Sequence, residues 1–277
     1  MDAIVLALGA SLSWGLADFF GPLQGRKLGA LRTLVWVQLG GLVAIALIVA
    51  VRWIGPKDSA ALLAIPAAIS GTLGLFAYYR GIAVGAISIV APIAGVSAVV
   101  PVIVGIASGE SPSALQLAGI ACALIGVFLA AREPGGTGER RLAAGVGLAV
   151  LAAIGFGGYF PFMHAAGNAD YWWASLIFRI VSTSVILVAV AVQRPNVVVP
   201  VRLLPWLALI GIGDMVGNLL YAAASTSGLV SVTSVLASLY PIVTVILARI
   251  VLSERVARSQ EAGIGLTLAG VALISAG

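Results

Sequence analysis

The chain has 277 residues, of which 61% are apolar and only 9% are charged. A water-soluble globule carries roughly a quarter of its residues as charges, so the composition excludes an ordinary soluble enzyme and describes a chain dissolved in a bilayer. The net charge of +5 does not indicate nucleic acid, because the basic residues sit in twos and threes between apolar segments and read as topology signals.

Charge-poor apolar runs long enough to cross a hydrocarbon core of about 30 Å recur along the whole length. Ten spans are predicted, at 3–22, 31–54, 60–80, 86–107, 113–131, 142–164, 171–192, 203–225, 229–251 and 259–276. They leave about six residues for each connection and end, which is too little for an extramembrane domain. The first follows Asp2 rather than a basic stretch and has no small-residue cleavage site, so it is expected to stay as a helix. It carries Trp14 and Asp18 one turn apart, and an aromatic beside an acid attracts a cation by charge and by cation–π contact.

The second span holds Gln38, and the third closes on Tyr78, Tyr79 and Arg80, the arginine reading mainly as a headgroup snorkeller. Pro92 and Pro101 in the fourth, Pro161 in the sixth and Pro241 in the ninth each remove a backbone bond, and Pro92 and Pro241 are the expected gating kinks. Cys122, the sole cysteine, lies inside the fifth span, where it forms no internal disulfide or thiolate cluster and is expected to pack. Phe156, Tyr159 and Phe160 make the sixth span aromatic up to His164, the sole histidine, at its expected end. Arg179 falls in the seventh span, roughly where the second holds Gln38; ion pairing with Asp214 or Asp18, a substrate carboxylate and snorkelling all suit it.

Asp214 is the deepest acid, at the middle of the eighth span, with Asn218 and Tyr221 at i+4 and i+7 on the same face. Carboxylate, amide and phenol on one stripe form either a lining for an ammonium group or a proton, or an interhelical clamp. Depth ranks Asp214 above Asp18 as the function-bearing acid, whereas Glu110 and Glu254 read as solvated loop acids.

The longest polar break, 132–141, divides the chain into 1–131 and 142–277 with five spans each. Gly74, Tyr78, Gly85 and Ser88 recur 143 positions later as Gly217, Tyr221, Gly228 and Ser231, and Phe156-Gly157 stands where the first half has Trp14-Gly15. An odd number of spans per half makes this an inverted repeat, whose substrate site is expected near the midplane between the halves. The fold expected is therefore all-α, with ten transmembrane helices in two inverted units.

Ser13-Trp14-Gly15, Tyr78-Tyr79-Arg80-Gly81, the proline-bearing fourth and ninth spans, Leu252-Ser253-Glu254-Arg255 and the glycine-rich fifth and tenth spans together resemble the EamA family of the drug/metabolite transporter superfamily. The resemblance covers the whole chain, with Gly109-Glu110-Ser111-Pro112 as a departure where the family continues with basic residues. It implies a secondary transporter, an exporter of amino acids, organic cations or similar small metabolites, working by alternating access with protons as candidate coupling ions.

The sequence has no paired-histidine metal motif, no nucleophile elbow and no phosphate-cradling loop, so neither an enzyme nor a cofactor or metal is expected. An uncoupled facilitator or channel and a lipid-modifying membrane enzyme remain the alternatives. The expected partners are a small-molecule substrate and the lipid bilayer, not nucleic acid. Twelve Lys and Arg fall in odd-numbered connections against Arg52 and Lys57 in even ones, so a bacterial-type inner membrane with both termini outside is expected.

Overall fold

The computed structural model describes residues 2–83, 94–131, 139–252 and 258–276, and all of its regular structure is helical. Helix α1, Ala3–Leu28, starts with the Asp2 side chain accepting from the Ile4 N–H, and runs on through Pro22. The expected end at Pro22 is thus corrected to Gly29, whose φ of +93° is open to glycine at little cost. Pro22 has no N–H to return to the carbonyl four residues back, which is that of Asp18.

After the one-residue turn at Gly29 come α2 (Ala30–Arg52) and α3 (Ala64–Ala83). A single 3₁₀ turn, Val96–Ala98, leads into α4 (Val99–Ala107), and α5 is Ala114–Ala131. The helical run Glu139–Gln193 is continuous except at Asp170 (φ −167°, ψ 106°), which splits it into arms α6 (139–169) and α7 (171–193). Asp170 is the N-cap of α7, its carboxylate accepting from the N–H groups of Trp172 and Trp173 at 3.0 and 3.2 Å. His164 therefore lies within α6, one turn before its hydrogen-bond partner Asn168, and not at the helix end.

Helix α8 is Leu204–Ser225. The ninth expected span is two helices, α9 (Val230–Ala237) and α10 (Tyr240–Leu252). Pro241 explains the break, because it has no N–H for the carbonyl of Ala237, and the ladder tightens there to an Ile242-to-Leu239 bond of 2.9 Å. Helix α11 is Arg258–Ala276. Pro92 and Glu254 lie outside the described residues.

Among the described residues, five stretches, Ala3–Leu28, Ala30–Arg52, Ser59–Gly81, Gly147–Gln193 and Val201–Ser225, are long and apolar enough to cross a membrane. The 47 residues of Gly147–Gln193 would extend about 70 Å, more than twice a hydrocarbon core, and Asp170 breaks them close to the middle. The bundle is apolar outside as well as inside: Leu47, Leu151 and Ile250 are more than half exposed. That is the surface of a protein solvated by lipid.

Two ends of the bundle are defined by contact. At one end, here the N-terminal end, Ala3 packs near Gly228, and Trp173 donates its indole N–H to the Ile54 carbonyl at 2.8 Å. At the other, Arg32 and Trp36 donate to the carbonyls of Asn196 and Val197 in the segment between α7 and α8.

The repeat appears as contacts that come in mirrored pairs. Gly217 has no room for a Cβ because Trp14 covers it, and 143 and 142 positions away Gly74 is covered by Phe156. Gly15 faces Tyr240 and Val243, while Gly157 faces Ser97 and Val100, again displaced by 142 and 143. In α5 and α11, Gly119 abuts Gly270 and Gly126 abuts Gly263, so the two helices run antiparallel along a glycine seam. Small residues of this kind let membrane helices approach to backbone contact.

Filling that seam should unpack it. Gly119→Val and Gly270→Val are each expected to cost about 1–3 kcal/mol through overpacking, lowering the thermal unfolding midpoint of the detergent-purified protein. Gly147→Ala, with nothing within 4 Å of the added Cβ, should leave that midpoint in place. Equal losses at all three positions would show that the seam is not what holds α5 to α11.

Candidate functional site

The site begins with a backbone crossing. Helices α2 and α8 touch where Gly40 meets Ala208 and Gly41 meets Gly211, and no side chain fits between them. The crossing brings Gln38 on α2 and Asp214 on α8 to one guanidinium, that of Arg179 on α7. Arg179 donates through one terminal nitrogen to Gln38 Oε1 and through the other to Asp214 Oδ2 at 2.5 Å. Ser182, one turn on, also reaches Gln38 Oε1 at 3.3 Å, and Asn218 donates its amide to the Asp214 backbone carbonyl at 2.7 Å. Arg179 is 1% exposed, so of the readings open to it the ion pair with Asp214 is the one the structure contains, and it does not snorkel.

Above this triad lies a cavity walled by helices of both halves. About 60 Å³ of it is open to the centre of a water-sized sphere, room for a handful of water molecules. Trp14, Asp18, Gln38, Tyr159, Asp214 and Asn218 all line it. Asp18 makes no hydrogen bond or ion pair among the described residues, and it lines the same cavity as Asp214. Of the two carboxyl groups that line the cavity, Asp214 is paired with Arg179, and Asp18 has no partner among the described residues.

Part of the lining is paired by the repeat. Trp14 and Phe156, Asp18 and Phe160, Gly71 and Asp214, and Leu75 and Asn218 are pairs separated by 142 or 143 positions, and all eight line the cavity. The cavity thus straddles the pseudo-symmetry axis. Its polarity is not symmetric, since Asp18, Asp214 and Asn218 have Phe160, Gly71 and Leu75 as their repeat counterparts.

Two expected lining residues stand elsewhere. Tyr221 is fully buried behind Trp14, with ring centroids 6.0 Å apart, and its hydroxyl donates to the Phe160 carbonyl at 3.1 Å and meets Ser234 Oγ at 2.9 Å. Tyr78 is buried behind Phe156, also at 6.0 Å. These tyrosines back the lining instead of forming it, because Trp14 and Phe156 take the inner positions. Pro241 stands beside the cavity, one residue after the lining Tyr240, at the break between α9 and α10.

Thr72, Phe178 and Tyr240 were not expected here. The break at Pro241 is the signal that could have found Tyr240; Thr72 and Phe178 give none in the sequence. The hydroxyls of Thr72 and Tyr159 are buried without a hydrogen-bond partner among the described residues, unusual for polar atoms beside a cavity and suited to a bound polar molecule. Toward the N-terminal end the space is filled: Ala10, Trp14, Ala68, Phe160, Met163 and Tyr221 belong to one buried cluster.

Removing one partner of the buried triad should leave the other charge stranded. Arg179→Gln is expected to cost about 3–5 kcal/mol, and adding Asp214→Asn should recover much of it. Equilibrium unfolding of the two single variants and the double variant measures this as a coupling energy. Additive losses would mean that the two side chains act independently.

The EamA-like transporter family model matches the chain twice, over residues 1–132 and 143–276, which together span nearly its whole length. No curated protein sequence matches it. A solved crystal structure, described only as that of a protein, superposes with a TM-score of 0.75 at 17% identity, covering 98% of this chain and 95% of the other. That likeness concerns the fold alone. With two family units in tandem and the cavity on the axis between them, the chain belongs to the EamA-like transporter family.

Proposed function

We propose that this membrane transporter carries a small amphipathic cation, an amine-bearing or aromatic metabolite, out of the cell. It does so by alternating access across ten transmembrane passes arranged as inverted units 1–131 and 142–277, joined by 132–141. The observation that carries the reading is the unmatched carboxylate of Asp18 in an aromatic cavity. A protonated amine would complete the charge balance at Asp18, with Trp14 offering its ring face and the hydroxyls of Tyr159 and Thr72 offering bonds to a polar group. The Asp18 backbone carbonyl, freed by Pro22, adds an acceptor on the same helix.

A proton can neutralise Asp18 in place of the amine, and competition between the two at one carboxylate is the simplest route to antiport. The packed cluster toward the N-terminal end favours alternation over an open pore. In the proposed orientation the membrane is the inner membrane of a bacterial-type cell, and both termini face outward, following the charge bias of the connections.

On this reading Asp18 ranks above Asp214 as the function-bearing acid. Asp214 is held by Arg179, whereas Asp18 is free to exchange partners. In proteoliposomes tested against a panel of aromatic amines, amino acids and organic cations, Asp18→Asn should lower transport of the accepted cargo about 10–100-fold, the loss expected when a bond between charged groups goes. It should also flatten the dependence on a pH gradient while leaving the unfolding midpoint close to that of the parent. Asp214→Asn should lower transport and stability together. Transport by Asp18→Asn at the parental rate and with the parental pH dependence would remove Asp18 from the site.

A further inference from the structure

We propose that Glu110 is a positioning residue of the transport cycle, a latch whose carboxylate ties the end of α4 to the start of α9 and so holds the N-terminal end closed over the cavity. The proposal rests on the transporter reading and concerns a residue outside the cavity. Glu110 is not the solvated loop acid that the sequence suggests. One carboxylate oxygen accepts from the Val230 N–H at 2.5 Å, and the other accepts from the Ser231 N–H at 3.0 Å. Both donors belong to the first turn of α9, where no helical carbonyl can reach them, and a negative charge there also meets the positive end of the helix dipole.

The grip is firm on the first-half side. Gly109 turns the chain with φ +96°, the Glu110 N–H returns to the Gly105 carbonyl at 3.0 Å, and the carboxylate folds over Gly105 so closely that no Cβ would fit there. On the second-half side a line of contacts runs inward. One turn into α9, Ser234 meets the Tyr221 hydroxyl, and that hydroxyl donates to the Phe160 carbonyl. The Tyr221 ring lies 4.9 Å from Phe160 and 6.0 Å from Trp14, and both of those rings line the cavity. Opening this end requires α9 to leave α4, which breaks both bonds of Glu110 at once.

The test reads accessibility, so it needs no cargo. In sealed vesicles holding the full chain with Cys122→Ser, a reporter is introduced as Ala166→Cys, within the buried cluster at the N-terminal end. A membrane-impermeant maleimide is then applied to each face in turn. Glu110→Gln should raise labelling about tenfold from the face that carries Ser108–Glu110, and not from the other, as expected on losing a hydrogen bond to a charged group. Val230→Pro provides the second variant: it deletes one donor, leaves Glu110 in place, and suits the first helical position after the extended Leu229. It should raise labelling from the same face. Parental labelling rates in Glu110→Gln, or in Val230→Pro where Glu110→Gln does not accumulate, overturn the latch even if the melting temperature has fallen. Loss of cargo movement in the parent protein would instead count against the transporter reading, with the labelling result unaffected.

Discussion

The fold is organised around a guanidinium that has no access to water. Arg179 sits at 1% exposure in a bundle whose outer surface is apolar, where an uncompensated charge costs several kcal/mol. Its compensation comes from two other helices, Gln38 on α2 and Asp214 on α8, and both must approach one point. Gly40, Gly41 and Gly211 meet this demand by bringing α2 and α8 to backbone contact just beside the arginine. Local chain choice and buried charge therefore impose the same crossing. Because Asp214 is paired with Arg179, Asp18 is the cavity carboxyl without a partner among the described residues, and the proposed cation site rests on that difference.

Symmetry supplies the frame and departures from it supply the chemistry. Glycine contacts repeat across the axis at a displacement of 142 or 143, as does the backing of Trp14 by Tyr221 and of Phe156 by Tyr78. Had the lining followed the repeat in full, each acid would face a second acid and repel it. Instead Asp18 is answered by Phe160 and Asp214 by Gly71. The polar groups are thus spread unevenly around an evenly built cavity, with apolar walls opposite them.

Much of this arrangement was legible in the sequence, and the limits have physical causes. Spacing reveals which residues share a helix face, so Asp214 with Asn218, and Trp14 with Asp18, came out together. An arginine within a span calls for a counterion or a route to the headgroups, which left Asp214 as one of several partners that the sequence allowed it. Helical period cannot say which of two rings on adjoining faces stands in front, and for that reason Tyr78 and Tyr221 looked like lining while Tyr240 did not. The first apolar run ends at Pro22, yet α1 continues through the more polar Gln24, Arg26 and Lys27 to Leu28, because hydropathy marks the extent of a lipid-facing run and not of a helix. Glu110 looked solvated because its partners are backbone N–H groups some 120 residues away, and backbone donors leave no trace in side-chain patterns.

The proposed cycle draws a further consequence from the same asymmetry. If the halves exchange conformations, the packing around Trp14 and Tyr221 at the N-terminal end loosens while its counterpart around Phe156 and Tyr78 tightens. Apolar packing that is mirrored across the axis contributes nearly equally to both states and largely cancels. Unmirrored polar contacts do not cancel. The Tyr221 hydroxyl bonds Ser234 and the Phe160 carbonyl, whereas the Tyr78 hydroxyl makes no hydrogen bond among the described residues. One hydrogen bond of about 0.5–1.5 kcal/mol shifts a two-state ratio by roughly two- to tenfold. A few such contacts at one end are enough to set which side the resting protein keeps closed, while leaving the difference small enough for a bound cation or a proton at Asp18 to reverse it.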